Sequence, residues 1–165
     1  MTKSSLAVIG KSRLADELVA LGREKGLDVA PLHDATAIAP TTQFVIDTEN
    51  GNEDKKRAVL QRLDASLPAP GIIVSSCLRF STTSMASWVK KPERVVGFAT
   101  FYPLKDRKLI ELGAGLRTLD KSVEQAEQLF QALGKEAVRV KDTAGLTFPR
   151  ILSLIVNEAA RSLEE

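Results

Sequence analysis

The chain has 165 residues, of which 44% are hydrophobic and 27% charged, and its formal net charge is +2. This length and composition predict one domain, residues 1–165, with a single hydrophobic core. No apolar run approaches the roughly 18 residues of a membrane span, and the N-terminus MTKSSLAVIG lacks the regions of a secretory signal. The basic clusters KKR, KKPER and KDRK are interleaved with acids, so we interpret them as solvated faces and expect neither nucleic-acid nor membrane partners.

The scarce residue types exclude further kinds of site. Cys77 is the one cysteine, so no intramolecular disulfide can form, which fits a reducing cytoplasm. One cysteine and one histidine cannot build a Cys/His zinc site, and we expect no metal. Any histidine-based acid–base step within this chain must use His33. Cys77 is either a reactive thiol or a buried inert one.

The first elements in chain order form a βαβ unit. Residues 5–10 are typical of a buried strand, residues 12–25 of a helix and residues 27–32 of a second strand. Ser12 is a predicted N-cap, and Gly26 stops the helix. Such an opening is the first part of a nucleotide-binding sheet.

The remaining pattern continues to alternate between the strand and helix periods. The predicted elements are loop 33–42, strand 44–47, helix 52–67, strand 71–76, helix 81–88, strands 94–100 and 108–112, helix 121–133, strand 136–140 and helix 147–163. Asn52 and Ser81 are predicted N-caps, and Gly134 ends the helix 121–133. This order predicts an α/β fold with a mostly parallel sheet and flanking helices.

The last helix carries apolar side chains on more than one face. They are Ile151, Leu152, Leu154, Ile155 and Val156. At 3.6 residues per turn they cannot all face one sheet. The helix is therefore either deeply buried or a surface for a partner, and we expect a homodimer or association with another chain through helix 147–163.

Two long segments resemble the NAD-binding domain of the 3-hydroxyacyl-CoA dehydrogenases. They are SSCLRFSTTSMASWVKKPERVVGFATFYPLKDRKLIEL and LGKEAVRVKDTAG, which is followed by a long helix. The family's patterns are of the type SNTSSLSI…A…RPERVxGxHFFNPxxxMKLVEI and LGKxPVxVKDTPGFIVNR. The order and spacing of these motifs are kept from about residue 43 onward, so the resemblance implies a Rossmann-type fold.

The same resemblance implies that the catalytic groups are mostly lost. The family's general base is the histidine of HFFNP, and Ala99 stands at its position. The glutamate that orients that histidine is retained as Glu111. The serine that binds the substrate oxygen corresponds to Leu78, and the asparagine of FIVNR corresponds to Pro149. Losing a general base alone lowers the rate by about 10²–10⁴, and His33, at the end of the second strand, is poorly placed to substitute.

The resemblance also implies a weakened NAD site at the first turn. There the sequence has G-x-S-x-x-A in place of G-x-G-x-x-G. A serine at the second glycine adds a Cβ where the pyrophosphate approaches the backbone, whereas alanine is tolerated at the third. The basic side chains of the turn favour an anion at the helix N-terminus or are simply exposed. The predicted cofactor-binding residues here are Gly10, Lys11, Ser12, Arg13 and Leu14.

Three further positions are carried over for the cofactor. His33, with Asp34 beside it, stands where the family's ribose-binding acid lies, and Lys56 matches a lysine that contacts the cofactor.

Asp47 is either a strand-end capping group or a functional acid. Tyr102 replaces the family's asparagine of HFFNP, and we expect it to fill the vacated pocket.

Two deletions relative to the family are expected. The connection between the second strand and FVID is about ten residues, so one crossover is reduced to a loop in a shortened Rossmann sheet. We also expect the family's helical C-terminal domain to be absent.

Three functions remain open from the sequence. The first is a degenerate, catalytically inactive dehydrogenase domain that serves as a binding or scaffolding module. The second is an NAD-dependent oxidoreductase of 3-hydroxyacyl-CoA type with altered chemistry around Glu111. The third is a small nucleotide or anion sensor that uses the turn from Lys11 to Arg13. The expected ligands are therefore a nucleotide or an acyl-CoA.

Overall fold

Strands and helices alternate along the chain in the predicted order. A computed structural model describes residues 5–33 and 35–164. The strands are β1 (Ser5–Ile9), β2 (Asp28–Leu32), β3 (Thr42–Asp47), β4 (Ile72–Ser76), β5 (Val95–Ala99), β6 (Leu109–Ala114) and β7 (Glu136–Val140). The helices are α1 (Arg13–Glu24), α2 (Glu53–Ser66), α3 (Thr82–Ser87), α4 (Asp120–Ala132) and α5 (Phe148–Glu164). The predicted α/β class is confirmed.

The seven strands form one sheet in the order β2-β1-β3-β4-β5-β6-β7. Every neighbouring pair is parallel except β5 and β6, which are antiparallel. The strand order reverses beside β1, because β2 pairs with one edge of β1 and β3 with the other. The predicted short crossover between β2 and β3 holds one 3₁₀ turn, Ala35–Ala37, and no α-helix among its described residues.

Each face of the sheet has its own hydrophobic cluster. One cluster joins the sheet to α1 and α4 and includes Leu18 and Phe130. The other joins it to α2 and α3 and includes Leu63 and Met85. All four of these side chains are at most 1% exposed. Because strand residues alternate between the two faces, both clusters draw on the same central strands.

The predicted helix signals are confirmed at both ends of the helices. Ser12, Asn52 and Ser81 each accept a backbone N–H three residues on, which caps α1, α2 and α3. Gly26 and Gly134 follow α1 and α4 with φ of +74° and +72°, a backbone conformation that favours glycine.

Helix α5 is exposed along nearly its whole length. Leu154 is 65% exposed, Ile155 60% and Val156 58%. The interpretation of this segment as a deeply buried helix is therefore wrong, and the alternative of a surface helix remains. None of the helices in residues 5–33 and 35–164 has the length and hydrophobicity of a membrane-spanning segment.

Candidate functional site

The carboxyl ends of β1 and β3 flank the point where the strand order reverses. In open α/β sheets, ligands bind in the crevice at such a point, and we call this place the switch-point crevice. Gly10 follows β1 with φ of +137°, and a Cβ there would lie 2.0 Å from Thr48 Oγ1. The turn therefore requires glycine at position 10.

A pair of hydroxyl groups spans the switch-point crevice. Ser12 Oγ donates to Thr48 Oγ1 at 3.1 Å, and Thr48 Oγ1 donates to the carbonyl oxygen of Ile9 at 3.1 Å. Ser12 Oγ also accepts the N–H of Ala15 at 3.3 Å. The serine therefore occupies one N–H of the α1 N-terminus and links the turn to β3. Sequence reasoning missed Thr48, whose only signal is its position directly after the strand FVID.

The other residues of the turn have fewer groups free to bind a ligand than the sequence predicted. Lys11 is exposed, whereas Leu14 is only 6% exposed and packs in the core, so only its backbone faces the turn. Arg13 Nε donates to Glu17 Oε1 at 2.8 Å. The N–H of Leu104 donates to the other oxygen of Glu17 and is the main cause that lowers the pKa of this carboxyl, with Arg13 contributing.

Tyr102 lies against the turn. Its ring is 57% exposed, and the guanidinium carbon of Arg13 lies 5.3 Å from the ring centroid. The expectation that Tyr102 fills the vacated pocket is therefore wrong. The cation–π contact holds the ring beside the α1 N-terminus instead.

The predicted cofactor contacts beyond the turn are divided between the surface and the interior. Lys56 is fully buried, and its Nζ donates to Asp47 Oδ2 at 2.7 Å and to the carbonyl oxygen of Glu49 at 2.6 Å. Ser75 Oγ donates to the same Asp47 oxygen at 2.7 Å. Lys56 and Asp47 thus form an internal pair that secures the end of β3, and contact between Lys56 and a cofactor would require this pair to open. His33 is exposed after β2, and Asp34 lies outside the described residues.

Ala99 and Glu111 are direct partners in the antiparallel register of β5 and β6. Both are buried, at 3% and 8% exposure. The Glu111 carboxylate accepts the backbone N–H groups of Thr147 and Phe148 at 2.9–3.1 Å. With a methyl group at position 99, the glutamate binds the N-terminus of α5, where a negative charge is favoured by the helix dipole.

A cavity of about 510 Å³ opens beside this pair, and we call it the β5–β6 cavity. Its lining consists of Ala99, Thr100, Phe101, Asp106, Arg107, Lys108, Leu109, Glu111 and Phe148. Sequence reasoning missed Thr100 and Arg107. Arg107 carried a readable signal, since it stands at the methionine of the family pattern MKLVEI.

Leu78 and Pro149 line a second depression, of about 240 Å³, outside the β5–β6 cavity. Gly145 and Leu154 also line it. The structure therefore places the four positions of the family's catalytic groups in two neighbouring depressions. Leu78 and Pro149 bring no side-chain hydrogen-bonding group to theirs.

Cys77 is completely buried at the end of β4. Its Sγ donates to the carbonyl oxygen of Phe98 at 3.1 Å. Burial raises the pKa of the thiol to about 12, with a smaller contribution from the negative charge of Asp142. The structure supports the inert interpretation of this residue.

Alkylation tests that interpretation. At pH 8 a thiol of pKa about 12 is roughly 10⁻⁴ thiolate, whereas an unfolded cysteine near 8.5 is about one-quarter thiolate. We expect iodoacetamide to label native protein at least about a thousandfold more slowly than the same protein in guanidinium chloride. Equal labelling rates, read by mass spectrometry, would show that the thiol is accessible and ionised.

No group of three or more histidine, cysteine, aspartate or glutamate side chains that could hold a metal ion occurs among residues 5–33 and 35–164.

Residues 6–143 match the family model described as "3-hydroxyacyl-CoA dehydrogenase, NAD binding domain".

Curated relatives share up to about a third of their aligned residues with the chain. It is 33% identical over 135 residues to 3-hydroxyadipyl-CoA dehydrogenase of Escherichia coli (strain K12), an alignment that covers 82% of the chain and 28% of the relative. It is 30% identical over 165 residues to the mitochondrial hydroxyacyl-coenzyme A dehydrogenase of Homo sapiens, covering 98% and 52% respectively. The chain thus spans between about a quarter and a half of these relatives.

Solved structures share the fold at lower sequence identity. The (S)-3-hydroxybutyryl-CoA dehydrogenase of Ralstonia eutropha superposes with a TM-score of 0.86 at 21% identity, covering 96% of this chain and 70% of that one. FadB2 of M. tuberculosis superposes with a TM-score of 0.89 at 19% identity, covering 96% and 71%.

Proposed function

Because the chain belongs to the family of 3-hydroxyacyl-CoA dehydrogenases through its NAD-binding domain, we propose that it is a member without hydride-transfer activity that works as a binding module. The proposal rests on the site formed by Ala99 and Glu111. Ala99 occupies the position of the family's general base, and the retained Glu111 is bound to the backbone of α5.

The loss of the base has a direct chemical consequence. Oxidation of a 3-hydroxyl group requires a base to accept the hydroxyl proton as hydride leaves, and the methyl group of Ala99 accepts none. Glu111 is a poor replacement, because both carboxylate oxygens already accept backbone N–H groups of Thr147 and Phe148. The same hydrogen bonds to Glu111 disfavour an oxidoreductase with altered chemistry around this residue.

The family's cofactor fits the switch-point crevice only in part. The glycine turn and the α1 N-terminus are present, and NAD bound there would supply the hydride acceptor. The hydroxyl pair of Ser12 and Thr48 narrows the crevice, and Arg13 is paired with Glu17. We propose that the NAD site is retained in weakened form. The pairing of Arg13 also disfavours a sensor built on that turn alone. A single buried cysteine, Cys77, is compatible with the proposed location in the cytoplasm.

A calorimetric NAD titration tests the weakened site. We expect Ser12→Gly to bind NAD about tenfold more tightly than the unaltered protein, because the change removes the Cβ and the hydroxyl bridge. Ser81→Gly is the matched control, since Ser81 caps α3 with the same kind of bond. Glycine at an N-cap lowers stability by only a few tenths of a kcal/mol. Equal affinities in all three proteins would show that the hydroxyl pair does not limit binding.

A further inference from the structure

The β5–β6 cavity combines the volume of a small-molecule site with apolar walls. Its 510 Å³ lies within the roughly 300–1,000 Å³ of ordinary ligand pockets. The rings of Phe101 and Phe148 meet edge to face with centroids 5.9 Å apart. Phe148 and Leu109 are 44% and 45% exposed, so an apolar ligand here would remove hydrophobic surface from water.

Two cationic side chains belong to the lining of the same cavity. Arg107 and Lys108 both line it, and neither has a carboxylate within ion-pair distance in the described parts of the chain. The guanidinium carbon of Arg107 lies 5.9 Å from the ring centroid of Phe148. Lys135 Nζ donates to the carbonyl oxygens of Leu104 and Arg107 at 2.6 and 2.8 Å, which fixes the turn that carries the arginine.

Two buried polar atoms of the cavity residues have unused hydrogen-bonding capacity. Thr100 is 6% exposed, and its Oγ1 has no partner among the described residues. Arg107 Nε is also buried without an acceptor there. Both atoms are closed to solvent, so a ligand in the cavity would not contact them directly. They show that the wall around Arg107 is not fully hydrogen-bonded within the described parts of the chain.

The two acidic residues of the lining do not neutralise Arg107 and Lys108. The Glu111 carboxylate accepts hydrogen bonds from the N–H groups of Thr147 and Phe148. Asp106 is exposed to solvent, so water screens its charge. The guanidinium fork of Arg107 is therefore available to a carboxylate, the partner whose geometry it matches best.

We propose that the β5–β6 cavity binds a small organic acid with an acyl or aryl body. Its carboxylate binds Arg107 and Lys108, and its apolar body lies against Phe101 and Phe148. The inference rests on the proposed loss of dehydrogenase chemistry, because the methyl group of Ala99 leaves free the volume that a larger side chain would take.

A titration with hexanoate, followed through backbone amide chemical shifts, tests the proposal. We expect saturable shifts at residues 99–109 and 148, and at least about tenfold weaker binding of hexanamide, which has the same body without the charge. Arg107→Gln should weaken hexanoate binding by about tenfold or more, whereas Arg117→Gln, an exposed arginine outside the cavity, should leave it unchanged.

Equal binding of hexanamide, an unchanged affinity in Arg107→Gln, or no saturable shift at these residues would overturn the proposal. Dehydrogenase activity reads the proposed function separately. Turnover of a 3-hydroxyacyl-CoA together with hexanoate shifts at the cavity would contradict the loss of catalysis, whereas inactivity without hexanoate shifts would contradict only the acid site.

Discussion

The protein is expected to sediment as a homodimer at micromolar concentration, and Ile155→Glu is expected to dissociate it. Leu152 and Ile155 lie three residues apart on one face of α5 and are 37% and 60% exposed. With the neighbouring Ile151 and Leu154, they leave an apolar patch on the order of several hundred Å², the size usual at interaction sites.

A second copy of the same helix offers a matching surface, because a two-fold axis brings the same patch of both subunits together. At about 25 cal/mol per Å², burial of the patch would contribute several kcal/mol before the costs of association. A glutamate at position 155 would place a charge from each subunit in that contact, and we expect association to weaken by about 100-fold or more.

Asn157→Glu is the matched control for this substitution. It adds the same charge to the same helix two residues away, which is about 200° around the helix axis. We expect it to remain dimeric. Since Ile155 and Asn157 are both exposed, circular dichroism should show that both variants are folded. A monomer in the unaltered protein across the micromolar range would contradict the proposed contact.

Much of the fold could be predicted because its signals are local. The helical spacing of Leu14 and Leu18, and the caps at Ser12, Asn52 and Ser81, depend on residues within one or two turns. The exposure of α5 could not be predicted in the same way. Periodicity shows which side chains share a face, but not whether another element covers that face.

The candidate site was predictable where the resemblance supplied positions. It assigned Ala99 and Glu111 to one catalytic site, and the antiparallel register of β5 and β6 makes them direct partners. It could not supply contacts between distant segments. Tyr102 beside Arg13 depends on the path of the loop after β5, and the hydroxyl bridge from Ser12 to Thr48 joins residues 36 positions apart.

We expect the protein to lack hydride transfer between a 3-hydroxyacyl-CoA and NAD. Loss of the base alone lowers the rate by about 10²–10⁴. Leu78 and Pro149 remove the family's substrate-binding hydroxyl and its asparagine as well, so we expect activity below about a thousandth of an ordinary dehydrogenase of this family.

The direct measurement is the formation of NADH from NAD, or of NADPH from NADP, with (S)-3-hydroxybutyryl-CoA and with a longer 3-hydroxyacyl-CoA at saturating cofactor. An active dehydrogenase of the family, assayed in parallel, is the positive control. We predict no cofactor reduction above the buffer rate with either substrate or either cofactor. Turnover above about a thousandth of the control rate, lost on denaturation of the protein, would contradict the proposed loss of catalysis.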